Sequence, residues 1–183
     1  MNCRICKMEC EGEFCGWCRN RIDEFVKSNV NHSCINITWG CGRIAWSDAY
    51  YLGSFVRENN IREVLEFGTG LSTEVFAILG LKIVTCDVLK NHSDLFAEHQ
   101  ALKGIADVIW YEYGTLPDFE ALYPGKRWEF VFVDGPQARD LETEAAMRLS
   151  SRFITLHDPG LSKHHLTLPG WEQVPGTWTF EKV

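Results

Sequence analysis

The chain has no run of apolar residues long enough to cross a bilayer as a helix. Its opening residues lack the basic-then-apolar pattern of a secretory leader. It also has no internal repeat and no low-complexity segment. These absences set aside membrane-spanning, secreted and solenoid classes, and the expectation is a cytoplasmic chain with no membrane partner. Positive charge is scarce as well: 18 Lys and Arg stand against 25 Asp and Glu, a net charge of −7. Residues 1–27 balance, with Arg4, Lys7, Arg19, Arg21 and Lys27 against Glu9, Glu11, Glu13, Asp23 and Glu24, so the deficit falls on the remainder. Sequence-independent binding to phosphate backbones runs on Lys and Arg, so nucleic acid is disfavoured as a partner. What is abundant excludes disorder. With 45% hydrophobic and 13% aromatic residues, 183 residues suffice for one ordinary domain and a small appendage.

Three segments are expected: residues 1–28 as a cysteine knuckle with a helix, 29–44 as a linker rich in Asn, Gly and Cys, and 45–183 as the main domain. In the last, AWSDAYYLGSFVREN has helical spacing, with Ser47 as N-cap. Short apolar runs then follow at 64–67, 82–87, 106–113, 129–134 and 152–158. Helical segments separate them at 71–80, 92–103 and 138–150, with a short one near 117–122. In the helix over 138–150, Ala138, Leu141, Ala145 and Leu149 share one face. Continuous apolar strands, each followed by a helix, predict a mostly parallel α/β sheet covered on both faces. The segments flanking Pro175-Gly176, WEQV and TWTFEKV, predict a C-terminal antiparallel hairpin at the sheet edge.

In such sheets ligands bind beyond the carboxyl ends of the strands. The first strand ends VLEFGTGLST, where Gly68 and Gly70 permit a tight turn and the next helix offers its free N–H groups. Asp87 ends the second strand, where an acid accepts hydrogen bonds from ribose hydroxyls. A dinucleotide fingerprint wants a third glycine, but Thr73 stands there, and Glu66 would repel a pyrophosphate while suiting a ligand with a positive amino-acid end. An NAD-linked enzyme is disfavoured on both counts.

The stretch EFGTG resembles motif I of the class I, Rossmann-like S-adenosylmethionine-dependent methyltransferases. VLEFGTGLST is similar to the LEFGxGxST form of a group of small members. FVFVDG at 130–135 and ITLHD at 154–158 resemble that group's fourth and fifth strand ends. The resemblance implies S-adenosylmethionine (SAM) as cosubstrate, held by Glu66, Gly68, Thr69, Gly70, Ser72 and Asp87; Tyr111, Glu112 and Tyr113, ending the third strand, are expected to line the adenine pocket or else to form the edge of a buried strand. It implies methyl transfer with Asp134, His157 and Asp158 as catalytic residues. In catechol-type relatives, carboxylates at these strand ends hold a divalent cation, so Asp134 and Asp158 are candidate ligands for Mg²⁺ or another hard ion. The chain departs from the pattern at Pro136, Gln137, Pro159 and Gly160. The other reading of Asp134-Gly-Pro and Asp158-Pro-Gly is two turns whose carboxylates cap helices. His157 is alternatively a general base, with His164 and His165 on the following loop. By elimination of amino- and base-methylating motifs, the acceptor is expected to be an oxygen of a small or carbohydrate-like molecule. After the fifth strand the usual helix is replaced by GLSKHHLTLPG, which either opens the acceptor side or leaves it to a second subunit of a homo-oligomer.

Five of the eight cysteines fall within residues 3–18. Two C-x2-C pairs, Cys3 with Cys6 and Cys15 with Cys18, place four thiolates around the tetrahedron that Zn²⁺ prefers. Gly12 and Gly16 permit the sharp turns, and the layout resembles a treble clef or short zinc ribbon. Cys10 keeps the ligand set open, and an iron–sulfur cluster takes four cysteines too. The knuckle either braces the main domain or presents a surface to a protein partner. A rival for the whole chain is a zinc-dependent adaptor whose Rossmann-like half is catalytically silent.

Overall fold

The computed structural model describes residues 46–88, 106–135, 139–157, 167–175 and 177–183. The cysteine knuckle, the linker, the expected helix over 92–103, Asp158, His164 and His165 lie outside the described residues. In chain order the elements are α1 (Trp46–Glu58), β1 (Glu63–Phe67), α2 (Leu71–Ile78), β2 (Lys82–Asp87), β3 (Ala106–Trp110) and α3 (Phe119–Leu122). Then follow β4 (Trp128–Val133), α4 (Arg139–Leu149), β5 (Ser150–Leu156), β6 (Trp171–Gln173) and β7 (Thr179–Lys182). The strands form one sheet in the order β3-β2-β1-β4-β5-β7-β6. β1 to β5 pair in parallel, and β7 runs antiparallel between β5 and β6. The chain therefore has the expected mostly parallel sheet and terminal hairpin.

Alternation along each strand sends neighbouring residues to opposite faces, and both faces are apolar. Val64, Ile83, Phe130, Phe132 and Phe153 meet Leu52, Phe55 and Val56 of α1 and Val75 and Phe76 of α2. The Phe55 ring lies edge-on to Phe153 at 4.9 Å, and Phe76 lies edge-on to Phe130 and Phe132 at 5.9 and 5.7 Å. Edge-to-face rings add to simple area burial. On the other face, Leu65, Phe67, Cys86, Val131, Val133 and Ile154 pack with Phe119 of α3 and Ala145 and Ala146 of α4. Gly80, at φ +77°, stops α2 in the left-handed conformation and turns the chain into β2. β1 lies beside β4 at the centre of the sheet, and the connections leaving them diverge to opposite faces. A crevice opens at such a switch point.

Two expectations shift. β3 ends at Trp110 rather than at residue 113, because Tyr111 turns into the core and residues 112–115 form a turn with Gly114 at φ +77°. α4 is rotated from the expected face: Leu141 is 41% exposed, while Glu142, Ala145 and Ala146 are buried. Leu141 and Glu142 stand about 100° apart around a helix, so only one of them faces the sheet, and the carboxylate does.

Candidate functional site

The parallel ladder continues past the strand ends and aligns the segments that follow. The Gly68 amide donates to the Cys86 carbonyl at 2.8 Å, and the Asp134 amide donates to the Phe67 carbonyl at 2.8 Å. The His157 amide donates to the Val133 carbonyl at 2.9 Å, and the Tyr111 amide to the Asp87 carbonyl at 3.1 Å. The sheet thus brings Gly68, Asp87, Tyr111, Asp134 and His157 to one rim.

At its centre the turn after β1 crosses the turn after β4. Gly68 has φ +93°, and a Cβ there would stand 2.7 Å from the Asp134 carbonyl carbon and oxygen and 3.0 Å from the Gly135 nitrogen. Glycine is required on both counts, conformation and space. On the outer side, a Cβ at Gly70 would meet nothing within 4 Å. The Thr69 amide donates to Asp87 Oδ2 at 3.1 Å, and the Thr69 and Thr85 hydroxyls bond at 2.9 Å. The glycine turn is thereby tied to the end of β2.

Glu66 lies beneath this turn, fully buried. Ser72 donates its hydroxyl to Oε1 and Thr73 its hydroxyl to Oε2, each at 2.5 Å, and Thr73 Oγ1 accepts from the Gly70 amide at 3.0 Å. Glu66, Ser72 and Thr73 are thus joined beneath the turn. Burial pushes the Glu66 carboxyl up to about 7, against the lowering effect of the Ser72, Thr73 and Thr85 hydroxyls, with Asp134 adding to the rise.

At the β4–β5 side, His157 Nδ1 and Asp134 Oδ1 lie 2.8 Å apart, with both side chains largely buried. The pair is within hydrogen-bond distance, and which atom donates depends on the imidazole tautomer. Arg139 spans both elements: Nη2 donates to Asp134 Oδ1 at 3.3 Å, Nε to the Gly135 carbonyl at 3.2 Å, and Nη1 to the His157 carbonyl. Glu112 is exposed in the turn after β3, where its carbonyl accepts from the Thr115 amide at 3.0 Å.

Sequence reasoning missed Thr73, Arg139 and Glu142. Glu142 is fully buried on α4; Oε1 accepts from the Tyr111 hydroxyl, while Oε2 has no partner among the described residues. Its carboxylate fills the space a side chain at residue 135 would take: a Cβ on Gly135 would lie 2.0 Å from both oxygens. Burial pushes Glu142 up to about 7, opposed by the Tyr111 hydrogen bond and the Arg139 charge and assisted by Asp87 and Asp134. The signal was present in part, since Glu142 falls three and four residues before Ala145 and Ala146 on the buried stripe. Burial also pushes the Cys86 thiol well above its usual range, which makes it an inert core residue. Among the described residues no three His, Cys, Asp or Glu side chains converge as metal ligands, and no helix is long and apolar enough to cross a membrane.

No family model matches the chain, and no curated protein matches it. Solved structures do. An O-methyltransferase from Bacillus cereus in complex with SAH superposes with a TM-score of 0.53 at 20% identity, covering 75% of this chain. This chain spans 65% of the length of that enzyme. The O-methyltransferase TomG of Streptomyces achromogenes, involved in tomaymycin synthesis and in complex with SAM, gives 0.55 at 17% identity, covering 80% of this chain and 78% of its own. The SAH-bound methyltransferase PaMTH1 of Podospora anserina gives 0.52 at 17% identity, covering 84% and 76%. At these identities the likeness is one of fold: the chain has the Rossmann-like α/β fold that these methyltransferases share.

Proposed function

We propose that the chain is a class I SAM-dependent methyltransferase that methylates an oxygen of a small or carbohydrate-like acceptor. The observation that carries this reading is the glycine turn after β1, tied through its Thr69 amide to the acid that ends β2. The fold it shares with SAM- and SAH-bound methyltransferases supports the choice of cosubstrate. The cradle fits such a ligand, because a side chain at Gly70 would project from the turn into open space.

Bound SAM supplies an electrophilic methyl group on a sulfonium. Asp87 receives the ribose hydroxyls, with its carboxylate oriented by the Thr69 amide. Glu66 holds the turn in shape through Ser72 and Thr73, so its effect on the ligand passes through the turn backbone. Gly68, Thr69 and Gly70 present that backbone, and Glu112 stands at the adenine end. Asp134 orients His157, which would take the proton of the acceptor hydroxyl during methyl transfer, while the bound cosubstrate would supply the methyl group and keep the bonding electron pair on its sulfur. Asp158 follows His157 directly in the chain and is the third catalytic residue of the proposal.

Cys3, Cys6, Cys15 and Cys18 hold a structural zinc in the same proposal, and metal analysis of the purified chain should find one zinc per molecule. For a second, divalent cation on Asp134 and Asp158, the described part of the donor set does not fit, since Asp134 Oδ1 already receives Arg139 and His157.

Calorimetry on the full chain tests the function. S-adenosylhomocysteine (SAH) should bind with one-to-one stoichiometry, NADH should not, and Asp87→Ala should weaken SAH binding. NADH binding in preference to SAH would replace the proposal.

A further inference from the structure

Three oxygen atoms converge at the ends of β4 and β5: Asp134 Oδ1, the Gly135 carbonyl and the His157 carbonyl. A carboxylate oxygen beside two backbone carbonyls is a donor set suited to a hard cation. Here all three accept hydrogen bonds from one guanidinium. Arg139 reaches Asp134 Oδ1 with Nη2 at 3.3 Å, the Gly135 carbonyl with Nε at 3.2 Å, and the His157 carbonyl with Nη1. The side chains of Arg139 and Asp134 are only 13% and 14% exposed, so solvent screens their pairing little. Position in the chain makes this geometry natural. Residue 139 is the first of α4, four positions after Gly135 in the chain, and its side chain points back toward the N-terminal end of the helix, where Asp134 lies.

We propose that the Arg139 guanidinium is the resident cation of this rim, filling the place a divalent metal ion would take. A guanidinium is a planar cation with five donors in a fixed fork, able to serve several acceptors at once. A metal ion entering here would have to displace it from three acceptors or stand beside it as a like charge. This rests on the methyltransferase reading only for the rim's role as acceptor side, and it narrows the acceptor class. With no metal to chelate, the acceptor need not present two vicinal oxygens; a single hydroxyl delivered to His157 is enough.

The test is Mn²⁺ binding to the full chain, followed by the electron paramagnetic resonance signal of free Mn²⁺, with one equivalent of zinc present to fill the thiolates. Wild-type protein should leave Mn²⁺ free up to about 1 mM, with Asp134→Asn making no difference. Arg139→Met should bind Mn²⁺ at least about tenfold more tightly than wild type, and Arg139→Met with Asp134→Asn should lose that gain. Sub-millimolar Mn²⁺ binding by the wild type that disappears in Asp134→Asn would overturn the proposal, as would a folded Arg139→Met protein that gains nothing. Thermal denaturation certifies folding, Arg139→Gln serves if Arg139→Met does not fold, and the wild-type arm decides without either. SAH calorimetry with and without Mg²⁺ separates the two claims. Absent SAH binding would count against the methyltransferase reading, while the Mn²⁺ titration still judges Arg139.

Discussion

Replacing Gly68 by Ala tests how the two central turns are held together. The new Cβ would lie 2.7 Å from the Asp134 carbonyl carbon and oxygen and 3.0 Å from the Gly135 nitrogen. All three are backbone atoms of a turn that the Phe67 carbonyl and Arg139 already fix, so none can rotate away as a side chain would. The left-handed backbone at φ +93° adds a conformational cost for any residue with a Cβ. That strain is roughly 1–2 kcal/mol, and forced overpacking adds about 1–3 kcal/mol. The stiffer unfolded chain offsets about 0.5–1 kcal/mol. The net expectation is a loss of about 1–4.5 kcal/mol, a large share of a typical total of about 5–15 kcal/mol. Urea denaturation followed by circular dichroism measures it. Gly70→Ala is the internal control: its backbone is extended at φ −169° and its Cβ would meet nothing, so stability should stay within about 1 kcal/mol of wild type. SAH affinity should nonetheless fall in Gly70→Ala, because the methyl group projects where the ligand is expected. Equal stabilities for Gly68→Ala and wild type, or equal losses at the two glycines, would refute the reasoning.

Stability should also depend on pH through two buried carboxyls. Glu66 and Glu142 are raised from 4.5 to about 7 in the fold, so the folded state binds more protons between those values. Their contribution is therefore fully present below pH 4.5 and lost as pH rises through about 7, by up to about 3 kcal/mol each. Glu66→Gln and Glu142→Gln should each flatten the decline in urea midpoint over that window, and an unchanged slope would contradict the assignment. Gly135→Ala should cost about 1–3 kcal/mol, since its Cβ would overlap the Glu142 carboxylate and force that buried side chain to move. Combined with Glu142→Ala, most of that loss should vanish, because the two changes act on one contact; additive losses in a double-mutant cycle would show otherwise.

The rim was readable in the sequence because parallel strands are continuous apolar runs that stop at polar residues. Glu63 to Phe67 runs into a glycine pair, and Lys82 to Asp87 ends on an acid. The runs before Asp134 and His157 end with equal clarity. What escaped was set by contacts between elements. A carboxylate on the inner face of α4 is locally indistinguishable from one in solvent until Tyr111 and Gly135 are seen to receive it. Arg139 reads as an ordinary first-turn residue until two carbonyls and Asp134 are found to converge on it. Glu66 was recognised as part of the motif, but the hydrogen bonds it accepts from Ser72 and Thr73 were not foreseen. The end of β3 was overrun because Tyr111 to Tyr113 continue an aromatic, strand-like composition after the backbone has left the sheet.

The central claim is that a SAM-type ligand lies across the turn after β1 and the end of β2. Hydrogen exchange of the full chain with and without saturating SAH tests it most directly. The account predicts slowed exchange at residues 66–73 and 85–88, including the Thr69 and Gly70 amides, and no such change in Asp87→Ala at the same SAH concentration. Protection confined elsewhere, such as the groove lined by Met147, Trp171 and Val183, or no protection at all, would contradict it.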